Sequence, residues 1–218
     1  MPTSYVHQIP TILDFAMHLD PGSVLDIGTG FGKYGFLLRE YLEVWGSTEG
    51  YGAFRRRIDG IEAYPRYLTP VHRFAYDKIY EGDARAIVPK LRRRYDFVLM
   101  VDVIEHFAKA EGKALLRRIL KDHGGILVAT PRRVEEQDDA FGNPFEEHRS
   151  QWAAADFRSL APCIFLEDPL NWIVYLSRDA ERVDALHASY RKRRLKARLS
   201  RHAWLRGAWQ MVRRHGKE

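Results

Sequence analysis

The chain has 218 residues, of which 45% are hydrophobic and 29% charged, and a formal net charge of +6. That length and apolar fraction suffice for one substantial buried core and exclude a chain disordered throughout. The single cysteine, Cys163, excludes an internal disulfide and has no companion ligands at zinc spacing; beside Ile164 and Phe165 it reads as a small buried residue.

The charge is not evenly spread. From Asp179 onward there are twelve Lys/Arg against four Asp/Glu, which leaves 23 basic and 25 acidic residues, a formal −2, in the first 178. The body is near neutral and the tail is strongly basic. The N-terminus, MPTSYVHQIPTILDF, lacks the basic region and apolar run of a secretory signal, and no stretch reaches membrane-spanning length, so the expected location is the cytoplasm.

Runs of Val, Ile and Leu alternate with helix-compatible stretches, the pattern of a doubly wound α/β sheet with helices on both faces. Five parallel strands are expected over Ser23–Gly28, Arg57–Ala63, Lys78–Asp83, Tyr95–Asp102 and Gly125–Thr130. The stretch Tyr41–Arg56, whose Trp, Gly, Ser and Thr break helical periodicity, reads as a loop insertion. A polar loop with Gly142, Asn143 and Pro144 leads to a helix capped near Ser150. CIFLE and NWIVYLS, separated only by Asp168, Pro169 and Leu170, are too close for a crossover and should pair as an antiparallel hairpin. The domain expected is 1–178, followed by a basic helical tail, 179–218.

In VLDIGTGFGKYG a strand carrying Asp26 runs into Gly28, Gly30 and Gly32, whose backbone tolerates positive φ and the close approach of a ligand. A phosphate-cradling P-loop fails, because Ile27 and Tyr34 stand where its first Gly and its Ser or Thr belong. A dinucleotide fingerprint on Gly30, Gly32 and Gly35 places its first Gly two residues into the turn. A carboxylate at the strand end would also repel a pyrophosphate but suit a cation.

On these residues the sequence resembles the class I S-adenosylmethionine-dependent methyltransferase superfamily from about Val24 to Arg178. The resemblance implies that Asp26, Gly28, Thr29, Gly30 and Gly32 hold the methionine part of S-adenosylmethionine. It implies that Glu62 binds the ribose, with Asp59 as rival, and that Asp83 and Ala84 meet the adenine, although Asp83 is also a plausible helix cap. Three acids ending successive strands outline the crevice beyond the sheet's carboxyl edge.

The acceptor is expected at the end of the fourth strand, where Asp102, Glu105 and His106 follow one another. His148 in NPFEEHRSQW is the second histidine of that site, under a lid suggested by Pro144, Phe145 and Trp152. His106 or His148 can act as base on a hydroxyl acceptor. Asp-x-x-Glu-His with a later His also resembles the metal pattern of small-RNA terminal ribose methyltransferases and ubiquinone-pathway O-methyltransferases, with Asp102 in place of the usual Glu. That resemblance implies a divalent metal on Asp102, Glu105, His106 and His148. His7, His18, His72 and His123 show no partnering pattern.

The expected acceptor is a small molecule or glycan intermediate methylated on oxygen. The alternatives are an RNA ribose methyltransferase and a noncatalytic nucleotide-binding scaffold. For the tail, Arg182–Arg214, Leu195, Leu199, Trp204, Leu205, Trp209 and Val212 form one apolar face of a helix. Three readings stand for it: packing on the domain, attachment to an anionic membrane, and, ranked below these, contact with RNA.

Overall fold

Alternation along the Val- and Ile-rich runs sends successive side chains to opposite faces of a sheet, and where both faces are covered the strand is apolar throughout. The computed structural model of the chain describes residues 4–45, 53–135, 137 and 140–215. In order these form α1 (Gln8–Leu19), β1 (Ser23–Ile27), α2 (Lys33–Arg39), β2 (Arg57–Glu62), α3 (Pro70–Ala75), β3 (Lys78–Glu81), α4 (Ala84–Ile87), β4 (Phe97–Val101), α5 (Lys109–Asp122), β5 (Ile126–Pro131), α6 (Ala154–Arg158), β6 (Cys163–Leu166), β7 (Asn171–Leu176) and α7 (Ala180–His215).

The strands form one sheet in the order β3-β2-β1-β4-β5-β7-β6. β1 through β5 pair in parallel, and β7 runs antiparallel to both β5 and β6. All five expected parallel strands and the terminal hairpin are present. From β1 the chain winds outward to β3 and then returns to add β4 on the other side, so the strand order switches between β1 and β4. Ligands of open α/β sheets bind beyond the carboxyl ends at such a point.

Each face of the sheet carries its own core. On one, Ile12 and Phe15 of α1, Leu38 of α2 and Tyr190 of α7 pack on Val24, Phe97, Leu99 and Tyr175. On the other, Leu116 and Ile119 of α5, with Trp152 and Phe157, pack on Leu25, Val98, Met100 and Val174. Cys163 is a partly buried free thiol packed against this second core.

Several local expectations are corrected. The segment after α2 does not open as a loop: Glu40–Val44 continues the helix as a π-helical turn, closed by Trp45 N–H to the Glu40 carbonyl at 2.7 Å. Buried Arg39 anchors it, donating to the Ala75 and Arg56 carbonyls and to Glu43 and Asp77. Residues 46–52 of the expected insertion lie outside the described residues. α6 starts at Ala154, not Ser150. The Ser150 hydroxyl instead accepts from Trp152 Nε1 at 2.9 Å, and Asp156 satisfies the Ala153 N–H at 3.0 Å.

α7 spans the basic tail, and its first turns are seated on the domain. Val183 and Tyr190 are buried, and the Tyr190 ring meets Phe15 edge-on with centroids 5.4 Å apart. His18 and Ser189 are hydrogen-bonded at 2.9 Å, and Arg193 pairs with Asp14. Past this seat, Leu195 and Leu199 are each 59% exposed. The side chains of Trp204, Leu205, Trp209 and Val212 lie outside the described residues. Because Tyr190 fills a core position, Tyr190→Ala should cost about 3 kcal/mol of stability, read as a lower midpoint in urea denaturation.

Candidate active site

The glycine loop after β1 is built to lie close under its neighbours. Gly28 has φ +78°, and a Cβ there would meet Val103 Cγ2 at 2.3 Å, so a side chain is excluded by both backbone and space. The N–H groups of Gly28 and Thr29 donate to the Ile61 carbonyl, at 2.9 and 3.3 Å, which fastens the loop to β2.

Glu62 reinforces that tie. Its Oε2 accepts from Gly30 N–H at 2.8 Å and Thr29 Oγ1 at 3.3 Å, and its Oε1 accepts from Tyr64 N–H at 2.9 Å. A carboxylate offers about four lone-pair sites. One therefore remains open, and a vicinal diol needing two would have to displace Thr29. Burial pushes the Glu62 carboxyl up, opposed by these donors.

His72, for which the sequence showed no partnering pattern, has a structural role beside Glu62. Its Nδ1 accepts from Thr69 N–H at 2.9 Å, so the ring's proton is on Nε2, which lies 3.1 Å from Thr29 Oγ1 and donates to it. Thr29 in turn donates to Glu62. Asp59 points away from this network, accepting from Tyr95 Oη at 2.6 Å and from Arg57.

Asp26 does not line the cavity. It lies beneath the loop, fully buried, and accepts from Tyr76 Oη at 2.6 Å, while Tyr76 Oη accepts from Gly35 N–H at 3.0 Å. A Cβ on Gly35 would fall 2.1 Å from Tyr76 Cζ, so glycine is required for the contact. Burial raises the Asp26 carboxyl to about 7, with Tyr76 opposing and Glu62 adding. Asp26 thus shapes the loop from below.

The other tips converge. Gly28, Thr29, Gly30, Glu62, Asp83, Ala84, Asp102 and His106 line one cavity of about 300 Å³ at the carboxyl edge of the sheet; Gly32 does not line it and instead leads into α2. Asp83 does two things, lining the cavity while its carboxylate caps α4 through Arg85 N–H at 2.8 Å and pairs with the Arg85 guanidinium. Burial pushes Asp83 up, but Arg85 outweighs it and the net shift is downward. Sequence patterning did not single out Lys33, Tyr67, Asn143, Glu146 or Arg149, which also line the cavity.

At the end of β4, Asp102 takes the left-handed conformation, φ +52°, unusual for a residue with a side chain. Its Oδ2 accepts from Gln8 Nε2 of α1 at 2.7 Å, and burial raises the carboxyl to about 6. Glu105 is buried and accepts from Thr130 Oγ1 at 2.9 Å; burial, with Asp102 adding, holds its carboxyl well above the usual range. Its carbonyl accepts from the N–H groups of Arg149 and Ser150, at 2.8 and 3.0 Å, so the loop after β5 is stitched to the turn after β4.

That stitching brings His106 and His148 together with ring centroids 5.0 Å apart. His106 Nδ1 lies 3.1 Å from the Glu147 carbonyl and His148 Nδ1 lies 2.6 Å from the Glu135 carbonyl. A carbonyl only accepts, so in each neutral ring the proton sits on Nδ1 and Nε2 keeps its lone pair. Burial lowers His106 to about 4 against the opposing pull of the Glu147 carbonyl, so the ring is neutral near pH 7. Glu105, His106 and His148 each offer a ligand atom within 4.8 Å of the others. Asp102 is not part of that group, because its carboxylate turns toward Gln8 on α1.

This is the Rossmann-like fold of the class I methyltransferases, with a cavity at the carboxyl edge of its sheet. Residues 3–175 match the model of the methyltransferase domain family, so the chain belongs to that family. No curated protein matches it in sequence. Similar solved structures include an O-methyltransferase family protein from Burkholderia thailandensis, 11% identical, TM-score 0.55, covering 79% of this chain and 56% of that one. The N-terminal domain of EvdMO1 with SAH bound is 16% identical, TM-score 0.54, covering 78% and 81%. The methyltransferase domain of bacterial CtHen1 is 17% identical, TM-score 0.51, covering 79% and 100%. The chain thus spans about half the length of the Burkholderia protein. Among the described residues no helix is long and apolar enough to cross a membrane.

The raised carboxyl of Asp26 has a signed consequence. A carboxyl that ionises near 7 when folded and near 3.8 when unfolded contributes stability at low pH that is lost as pH rises through about 4 to 7. Asp26→Asn, which still accepts from Tyr76, should flatten this part of the profile. The difference in thermal midpoint between wild type and variant should shift in the variant's favour between pH 5 and pH 8.

Proposed function

We propose that the enzyme methylates a hydroxyl oxygen of a small molecule or glycan intermediate, with residues 1–178 as the catalytic domain. The convergence of Glu62, Asp83 and Asp102 with the glycine loop on one cavity carries this reading, because a sulfonium nucleoside is drawn to carboxylates that would repel a pyrophosphate. Gly28, Thr29, Gly30 and Asp102 hold the methionine end, with Asp26 and Gly32 shaping the loop. Glu62 takes a ribose hydroxyl, and Asp83 and Ala84 face the adenine. An oxygen acceptor is supported by the O-methyltransferase family membership of the Burkholderia protein and by the EvdMO1 domain, whose structure was also solved in the presence of SAH and D-fucose.

In the transfer the acceptor oxygen attacks the methyl carbon in line with the breaking carbon–sulfur bond, and the electron pair of that bond leaves with the sulfur. His106 takes the hydroxyl proton on Nε2, whose lone pair the Glu147 carbonyl keeps available by holding the other ring proton. His148 is the reserve base at the same place.

The same two lone pairs, with Glu105, suit a divalent ion: imidazoles whose Nδ1 protons are fixed by carbonyls are the usual form of ligating histidines. Bound there, an ion would lower the pKa of a coordinated hydroxyl. This three-residue group also fits the alternative acceptor, the terminal ribose of an RNA. The tail, 179–218, is proposed to rest on an anionic membrane through its basic residues and exposed Leu195 and Leu199. The protein would then be cytoplasmic and peripheral. Cosedimentation with acidic but not neutral liposomes is the expected result, and loss of that difference would leave packing on the domain.

Calorimetric titration with S-adenosylmethionine tests the donor map. Glu62→Ala should weaken binding by about tenfold or more, and unchanged affinity would refute it, as would absence of binding to the wild type. His106→Ala should lower kcat by about a hundredfold. Stoichiometric metal after reloading chelated protein, lost in His148→Ala and Glu105→Gln, would make the cluster a metal site; activity independent of chelation would leave His106 as base.

A further inference from the structure

Away from the donor cavity, the edge strand β3 and the segment leading from α4 to β4 border a second, open concavity of about 650 Å³, lined by Lys78, Tyr80, Lys90, Leu91, Arg92, Arg93 and Arg94. It shares no residue with the donor cavity. Lys78 opens β3, about 10 Å along the strand from its other end. Val88 and Tyr95 are buried and Leu91 is partly buried, which pins the segment and turns Lys90 and the three arginines outward.

Five of the seven lining residues are cationic and none is acidic. Among the described residues none of the five is joined to a carboxylate, whereas Arg57, Arg85, Arg118 and Lys109 elsewhere on the body all are. The body carries slightly more acidic than basic residues, so this gathering is not general basicity overflowing. A lysine on an exposed edge strand guards against strand pairing, which accounts for Lys78. It does not account for Lys90 or the arginines, which lie outside any strand. Like charges held together repel, and a binding anion would relieve that.

Tyr80 lines the concavity while packing partly buried against the second core; its hydroxyl is hydrogen-bonded with Tyr95, and Lys78 Nζ lies 4.3 Å from its ring centroid. Leu91 adds apolar surface beside it. A flat lipid surface would not use the hollow, whereas a phosphate joined to a planar base would, the phosphate on the guanidinium groups and the base beside Leu91 and the Tyr80–Lys78 pair.

We propose that this concavity binds a nucleotide, either free or as one unit of an RNA strand. The proposal is independent of the methyl-transfer reading. The test uses the full chain with the donor cavity saturated by S-adenosylhomocysteine, and compares wild type with the triple variant Arg92→Ala, Arg93→Ala, Arg94→Ala. Probes are ATP, a single-stranded RNA oligonucleotide and vesicles containing anionic lipid, each over a salt series. These arginines are exposed, so an unchanged thermal midpoint and S-adenosylhomocysteine affinity are expected of the variant.

Wild type should bind ATP or RNA, and the variant should lose about tenfold or more of that affinity. For RNA the slope of log K against log salt should fall by about 2 on removal of three phosphate contacts. Equal affinity for ATP and RNA would identify a free nucleotide as the ligand, and a marked preference for RNA would identify a strand. No binding by wild type, binding that the triple variant retains, or binding to vesicles alone would each overturn the proposal.

Discussion

The hydroxyl of Tyr76 is the joint on which the donor site depends. It donates to Asp26 at the end of β1 and accepts from Gly35 in the first turn of α2, so one oxygen holds the strand, the loop between them and the following helix in register. The contact exists because Gly35 has no Cβ to occupy the space of the ring. With the loop fixed from below by Tyr76, Glu62 can grip it from the side, and the cavity wall is set before any ligand arrives. Such preorganisation is what makes binding energy available for catalysis.

The strands were legible because burial on both faces leaves an unmistakable apolar run, and the acids stood out because they end such runs, Glu62, Asp83 and Asp102 meeting at one cavity. The hairpin followed from the shortness of Asp168–Leu170. Less legible was anything that depended on a distant partner. Gln8 and Asp102 are 94 residues apart in the chain, and His72 reaches Thr29 across 43; no local pattern in the sequence announces either pair. The start of α6 was misplaced for a related reason. Ser150 has the side chain of a cap, but its N–H and hydroxyl are claimed by Glu105 and Trp152, and the capping work falls to Asp156.

Asp26 belongs with the distant pairs: an acid in the first strand suggested a group at the cofactor, and its carboxylate sits under the glycine loop, bonded to Tyr76 fifty residues on. At the end of β4, His106 and His148 lie 42 residues apart in the chain and come together because the loop after β5 is stitched to the turn after β4, and two carbonyl contacts fix which ring nitrogen is free in each.

Buried carboxyls crowd the donor end of the sheet, where Asp26, Glu62 and Asp102 all ionise above their ordinary range. With a sulfonium donor bound as proposed, their attraction would be for its positive charge, which the donor carries only until it reacts. Once the methyl group departed, sulfur would be a neutral thioether while these acids stayed in place, so the electrostatics that favour capture would also ease release of the spent nucleoside.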